Sequence, residues 1–256
     1  MIGSSLRYLN RSRWQRAYLR VFGIPHLSMH IKAQALSPLL PIGANLQVLD
    51  AGCGHGLFSF WLAQQMPGSA IVGMDISEDE IDYARQMVLT SQLHNLSFHR
   101  TDLRDLSQYR ENFDLILCLD VLEHIVEDEK VLMSLNEALK SDGQLIIHVP
   151  RRHQDQHRFF GSWVHWADHG HVRDEYTQDE IRARLINANF KIIQFKTTFR
   201  PAQSPFWEIS SKLRQSKLHL NWLFFPFLLV GSSLGGFINS EQGNGLLLLC
   251  KKAEIP

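Results

Sequence analysis

Apolar residues in this chain gather into short runs separated by longer stretches of mixed polarity. The runs fall at 46–49, 70–74, 96–98, 113–119, 145–149 and 246–250, and a weaker one at 191–196. Runs this short, apolar at successive positions, fit strands buried on both faces. The stretches between them place apolar residues at helical spacing. Phe58, Trp61 and Leu62 follow the first run, and Ile81, Ala84 and Val88 follow the second. Val131, Leu135, Ala138 and Leu139 precede the fifth, while Ile181, Leu185 and Ile186 precede the sixth. Strands alternating with helices of this length predict a parallel sheet covered by helices on both faces.

Punctuation residues agree with that pattern. Ser77-Glu78-Asp79-Glu80 and Thr177-Gln178-Asp179-Glu180 have the spacing of capping boxes, so each predicts a helix start. The helix before the fifth strand is predicted to end at Lys140, with Gly143 just past it. Upstream, residues 6–22 form an amphipathic basic pattern stopped by Ile24-Pro25. A second helix is predicted from about Ser28 to Leu40, closed by Pro41 and Gly43. Trp14, Tyr18, Leu19 and Phe22 are read as the docking face of the first helix.

Composition adds a boundary and a compartment. Of 256 residues, 45% are hydrophobic and 20% charged, which is ordinary for a globular protein. Net charge is zero, yet no Asp or Glu occurs before Asp50 while Arg7, Arg11, Arg13, Arg16, Arg20 and Lys32 do. Residues 1–44 therefore read as a basic helical extension or cap on a domain spanning 45–256. Cys53, Cys118 and Cys250 have neither zinc nor disulfide spacing, which points to a reducing, cytosolic setting. The start of the chain lacks the apolar core of a secretory signal.

The chemistry concentrates where the first strand ends. Asp50 closes the run, then Gly52, Gly54 and Gly56 occupy alternate positions before a helix. A glycine turn between strand and helix lets backbone amides approach a ligand at the helix's positive end. Asp75 ends the second strand 23 residues beyond Gly52, close to the offset at which nucleotide-binding folds hold ribose hydroxyls. A nicotinamide-dependent oxidoreductase is the distant alternative. Its Gly-x-Gly-x-x-Gly fingerprint is missed by one residue, and it leaves Asp102 and Asp120-Val121-Leu122-Glu123-His124 unexplained.

Taken together, the blocks at 48–56, 74–77, 101–105, 113–125 and 139–149 resemble the class I S-adenosylmethionine-dependent methyltransferases, in particular the small-molecule branch that includes ubiquinone-type enzymes. The likeness covers residues 46–150, with 176–193 similar to the family's sixth-strand unit. It implies a Rossmann-like seven-stranded sheet, mostly parallel with an antiparallel last strand, and S-adenosyl-L-methionine as cofactor. Asp50 would orient the glycine loop, and Gly52, Cys53 and Gly54 would pass the methionine portion. Asp75 would hold the ribose hydroxyls with Ile76 beside it. Asp102 would accept from the adenine amino group with Leu103 against the ring, and Asp120 would lie near the methionine end. Asp120, Glu123 and His124 also resemble the cation-binding acid-x-x-Glu-His cluster of some ubiquinone-type O-methyltransferases. Asp replaces Glu at the first place, so no metal is assigned.

The acceptor side is expected in two other segments, a His/Trp-rich stretch at 151–176 and an apolar insertion at 198–245. Residues 148–171 hold six of the 13 histidines, His148, His153, His157, His165, His169 and His171, with Trp163 and Trp166 among them. Imidazoles there would supply a base near neutral pH, and indoles a stacking face. His124, His153, His169 and His171 are the candidate catalytic residues. Arg173 is a candidate partner for an anionic acceptor group. The segment 198–245 is an insertion before the seventh strand and contains the run Trp222 to Val230, too short to cross a bilayer. With Lys212, Arg214 and Lys217 beside it, residues 206–230 and the basic helix 6–22 form a candidate contact with a membrane's inner surface. The competing reading packs the insertion on the N-terminal helices. An Asn/Asp-Pro-Pro-aromatic turn after the fourth strand is missing, as is a basic stripe, which argues against nucleic acid as substrate. The expected reaction is methyl transfer to oxygen or carbon of a small hydrophobic metabolite such as a quinone, phenol or lipid-like precursor. Alternatives are a polar sugar or natural-product scaffold, and a catalytically silent binding subunit.

Overall fold

The computed structural model describes residues 2, 12–43, 45–152, 159–160, 170–173, 175–216, 220–238 and 240–253. Its centre is one sheet of seven strands: β1 (Gln47–Ala51), β2 (Ala70–Asp75), β3 (Leu96–Arg100), β4 (Phe113–Leu119), β5 (Leu139–Pro150), β6 (Phe190–Thr198) and β7 (Gly245–Lys252). The spatial order is β3-β2-β1-β4-β5-β7-β6. The first five strands pair in parallel, and β7 runs antiparallel between β5 and β6. This is the mostly parallel sheet with an antiparallel last strand that the resemblance implies.

Alternate residues of each strand feed opposite cores, as the continuous apolar runs require. On one face Leu49, Ile116, Cys118, Leu145 and Ile147 pack against α5 (Asp128–Ala138) and α6 (Gln178–Asn187). On the other, Val48, Leu115, Leu117 and Ile146 meet α3 (Leu57–Gln65), α4 (Glu78–Thr90) and α2 (Leu27–Leu36). Thr177 and Glu180 form a complete capping box at α6. Ser77 caps α4, but Glu80 turns to His55 instead of closing the box.

Three boundaries differ from the sequence pattern. Helix α5 stops at Ala138, because Leu139 already pairs with Phe113 and Lys140 reaches Asp114 across the sheet at 2.8 Å. Gly143 lies within β5 rather than capping the helix, where a Cβ would meet the Leu139 side chain at 2.8 Å. The first helix is described only as α1 (Arg13–Phe22), and Trp14 is 87% exposed, outside the docking face formed by Tyr18, Leu19 and Phe22.

The insertion folds as α7 (Ser204–Gln215) and α8 (Asn221–Gly235). Together with α1 and α2 they enclose a third core of Leu27, Ile31, Phe199, Phe225, Leu228 and Leu229. Asn221 ties the unit together, donating to the Pro25 carbonyl at 2.6 Å and accepting from Ser210 at 3.2 Å. Among the described residues no helix is long and apolar enough to cross a membrane.

Pro226 sits inside α8 and has no N–H to give the Trp222 carbonyl one turn earlier. The Tyr18 hydroxyl of α1 supplies that bond at 2.8 Å, and burial raises its own pKa to about 12. The substitution Tyr18→Phe keeps the ring but orphans the carbonyl. It is expected to lower unfolding free energy by about 1–3 kcal/mol in urea titrations, with little change in the slope.

Candidate functional site

The strand order reverses between β1 and β4, so the connections leaving their carboxyl ends run in opposite directions and open a crevice. A cleft of about 470 Å³ lies there, lined by residues that include Gly52, Asp75, Ile76, Asp102, Leu103, Asp120 and His124. Sequence reasoning named all of these.

The glycine turn forms one wall. Gly52 and Gly54 have φ of +73° and +49°, and a Cβ on Gly52 would lie 2.4 Å from the Val121 side chain. Only glycine lets the β1 turn pass this close to the β4 turn. Asp50 is not part of the cleft lining. It is buried behind the turn, where it accepts from the Ser59 hydroxyl of α3 at 2.5 Å. Burial raises its pKa to about 6, against the Ser59 hydrogen bond. Cys53 is half-buried and packs behind the turn near Gly73.

Asp75 accepts from the Gly54 amide at 2.8 Å and the Ser77 amide at 3.0 Å, which fixes its carboxylate at the cleft. Carboxylate oxygens held this way keep lone pairs for two adjacent hydroxyls. Next to it Ile76 is 57% exposed, an apolar surface lining the cleft rather than the core. Asp102 is engaged by the Arg104 guanidinium, which holds its carboxyl below the usual carboxylate range. Arg104 also lines the cleft and bonds Glu127 at 2.7 Å, a contact the sequence pattern did not reveal. A nucleoside with a ribose diol and an amino-bearing base fits this series of an acid, a small apolar face, a second acid and a glycine wall.

At the other end stands Asp120, in a left-handed conformation (φ +54°) just past β4. Its amide donates to the His148 carbonyl at 2.9 Å, so the backbone is pinned to β5. One carboxylate oxygen pairs with the Lys32 ammonium from α2, the other with His148 Nδ1. A carboxylate only accepts, so Nδ1 carries the proton and Nε2 accepts from the Thr198 hydroxyl at 2.8 Å. Burial, with Lys32 nearby, holds His148 well below its ordinary pKa, consistent with that neutral tautomer. Burial acts to lower the Lys32 pKa, while the Asp120 carboxylate in contact and Glu123 nearby favour its charged form. Lys32 appeared in the sequence reading only as one basic residue of the N-terminal extension, Thr198 was not named as a site residue, and His148 appeared only as one histidine of a cluster.

This network corrects the candidate cation cluster. Asp120 is committed to Lys32 and His148 and does not join Glu123 and His124. Instead Glu123, His124 and His171 bring one donor atom each to within 4.8 Å of one another. Glu123 is buried, which raises its pKa to about 8. His124 is exposed in the turn Leu122–His124, with Nδ1 bonded to the Gly170 carbonyl at 3.1 Å. His171 stacks edge-on against the His124 ring at 4.8 Å and stands behind it rather than in the cleft lining. His153, His157, His165, His169, Trp163 and Trp166 lie outside the described residues.

Arg173 is not free to meet an anionic acceptor. Its guanidinium donates to Asp128 at 2.6 Å and to the carbonyls of Ile125 and Val126. Asp128 also takes Tyr176 and Arg184, so the group clamps Arg173 and Tyr176 onto α5 and α6.

Comparison with known proteins agrees with this geometry. Residues 42–196 match the family described as a methyltransferase domain. Among curated proteins, the chain is similar to the ubiquinone biosynthesis O-methyltransferase of Coxiella burnetii, 33% identical over 105 residues, 41% of this chain and 44% of that one. The same enzyme of Glaesserella parasuis is 34% identical over 111 residues, 41% of this chain and 46% of that one. The chain therefore aligns with less than half the length of these relatives. Among solved structures, an S-adenosylmethionine-dependent methyltransferase from Mesorhizobium loti superposes with a TM-score of 0.61, at 19% identity, covering 88% of this chain and 100% of that one. One from Aquifex aeolicus gives 0.58 at 16% identity, over 71% and 91% of the two chains.

The burial of Asp50 has a measurable sign. Its pKa is raised on folding, so the native state binds the extra proton between pH 4 and 6. Its contribution is complete below pH 4 and is lost as pH rises through 6. Replacing it as Asp50→Asn is expected to shift stability in the mutant's favour by about 2–3 kcal/mol on going from pH 4 to pH 8, relative to wild type, in paired urea titrations.

Proposed function

The chain belongs to the methyltransferase domain family, with S-adenosyl-L-methionine as its cofactor, and on that premise we propose that it methylates oxygen or carbon of a small, hydrophobic acceptor of the phenol, quinol or lipid-like class. The observation that carries the reading is the cleft at the strand-order reversal, where the expected cofactor residues converge. Asp75 holds the ribose hydroxyls. Ile76 and Leu103 enclose the adenine, and Asp102 accepts from its amino group beside Arg104. Gly52 and Gly54 give the methionine portion its passage, with Cys53 and the Asp50–Ser59 pair holding the turn from behind. The bound cofactor supplies an electrophilic methyl group on sulfonium.

Protein residues then have two tasks, to align the acceptor and to receive its proton. Asp120 stands at the methionine end, and His124 lines the cleft with Nδ1 occupied and Nε2 free to accept. His171 backs the His124 ring. His153 and His169 remain candidates on sequence grounds alone. Helix α2 reaches the same end of the cleft through Lys32, so the helical extension forms part of the acceptor side.

The acceptor class is supported by the named relatives and by the outer surface of the added helices. Helix α8 is apolar on nearly all sides. Phe225, Leu228 and Leu229 face inward, while Leu223, Phe227, Val230 and Leu234 are exposed, followed by exposed Phe237 and Ile238. Helix α1 adjoins it at Tyr18 and Trp222 and carries exposed Arg13, Trp14, Arg16, Arg20 and Val21. Such a surface suits shallow attachment to an anionic membrane in the cytoplasm, where a lipid-like acceptor is found.

Two measurements test these assignments. S-adenosylhomocysteine is expected to bind in isothermal titration, and Asp75→Asn to weaken it by roughly 10–100-fold, the worth of a charged hydrogen-bonding partner. Wild-type affinity in that variant would remove Asp75 from the site. The protein is also expected to float with phosphatidylglycerol-containing vesicles, less so at high salt or with Phe227 and Val230 changed to Asp. Failure to float would sink the membrane attachment and leave the cofactor assignment standing.

A further inference from the structure

We propose that Arg104 is a specificity-determining residue of the nucleoside end, a positioning group that aims the Asp102 carboxylate so that the site selects an amino-bearing base over an oxo-bearing one. The inference rests on the cofactor assignment above and concerns how the base is read.

Three donors converge on Asp102 from this single residue. The Arg104 amide donates to Oδ1 at 3.0 Å, which folds 102–104 into a tight turn. The guanidinium Nε lies 3.0 and 3.1 Å from the two oxygens, and Nη2 donates to Oδ2 at 2.6 Å. A carboxylate offers about four acceptor sites, so these three donors leave it one. That site takes one N–H, such as one from an exocyclic amino group. It has nothing to give a carbonyl oxygen, because an ionised carboxylate only accepts. Pairing with Arg104 also holds the carboxyl below its usual range, which keeps it in the accepting form.

Arg104 is itself fixed from the far side. Its Nη1 donates to Glu127 at 2.7 Å, and Asp102, Arg104 and Glu127 all line the cleft. Glu127 ends the stretch 120–127, whose other end is pinned where the Asp120 amide meets the His148 carbonyl. Past the turn, the Leu106 amide donates to the buried Ser134 hydroxyl of α5 at 2.8 Å. The loop after β3 is thus tied to the opposite wall of the cleft by Arg104 and to α5 by Ser134. A planar guanidinium meets both carboxylates in one rigid fork, which an ammonium, as a point charge, does not. The three side chains are between a third and half exposed, so the bridge is worth more as aim than as stability.

The test compares, on the full chain, S-adenosylhomocysteine with S-inosylhomocysteine, the same molecule with a carbonyl in place of the amino group. Affinities come from isothermal titration, the weaker ligand by competition. Wild type is expected to prefer the amino form. Arg104→Gln is expected to bind S-adenosylhomocysteine about 5-fold more weakly and the analogue unchanged, so that the preference falls by the same factor. Glu127→Gln leaves Arg104 on Asp102 without its anchor and is expected to lower the preference in the same direction. The double variant is expected to lose no more than Arg104→Gln alone, with urea midpoints unchanged throughout. Wild-type or tighter S-adenosylhomocysteine binding by Arg104→Gln would overturn the proposal, as would a wild type that binds both ligands alike. Equal losses for the two ligands, or a fallen urea midpoint, would reduce Arg104 to a structural partner. Losses that multiply in the double variant would separate Arg104 from Glu127 and remove the bridge. Absence of S-adenosylhomocysteine binding by wild type would overturn the cofactor assignment itself.

Discussion

Burying the Lys32 ammonium against a partly exposed carboxylate is the constraint on which the rest of this site depends. Removing two ions from water costs several kcal/mol each, and their attraction repays this only when geometry and further hydrogen bonds are good. Asp120 meets the requirement with Lys32, His148 Nδ1 and a backbone amide locked to β5. Any rotation of α2 away from the sheet edge would leave the Lys32 ammonium buried without compensation. The pair therefore functions less as a source of stability than as a register mark. It sets where the added helices sit relative to the cleft, and that position decides what reaches the end of the cofactor site.

The same logic explains how the helical unit holds together. Pro226 breaks the hydrogen-bond ladder of α8, and Tyr18 of α1 fills the gap from outside. Asn221 bridges the turn before α2, helix α7 and helix α8. Gln34 of α2 adds a bond to the Ser233 carbonyl at 3.2 Å. Polar side chains thus specify the mutual placement of four helices whose apolar contacts alone would permit sliding. What remains unpartnered is the outer apolar stripe of α8, because its inner stripe already fills the third core.

Much of this was legible in the chain. Seven strands, the reversed order's acids and the glycine turn follow from continuous apolar runs ending in Asp50, Asp75 and Asp120, since such runs are buried on both faces and their ends are where ligands bind. The Lys32–Asp120–His148 network was not legible, because it joins residues 88 and 28 positions apart by tertiary packing. One signal was available. Lys32 is the sole Asp, Glu, Lys or Arg between Arg20 and Asp50, in a stretch otherwise suited to burial. A lone lysine there needs a buried partner. His148 likewise interrupts the apolar fifth strand and needs two hydrogen bonds. Arg173 misled for the converse reason: a charged residue near a binding segment reads as ligand-facing until its structural partner Asp128 is seen.

Thr198, His148 and Asp120 reproduce the connectivity of an acyl-transfer triad, hydroxyl to imidazole to carboxylate, and yet the order of exposure is reversed. In a triad the hydroxyl meets the substrate and the acid is buried. Here Thr198 is buried and the carboxylate lines the cleft. A Cβ on Gly245 would lie 2.3 Å from the Thr198 hydroxyl, so the β7 backbone closes off the space a nucleophile would need. The same three groups therefore orient a carboxylate at this site instead of activating an alcohol. Recognising a constellation by its hydrogen bonds alone would have assigned the wrong chemistry; which end is open decides between them.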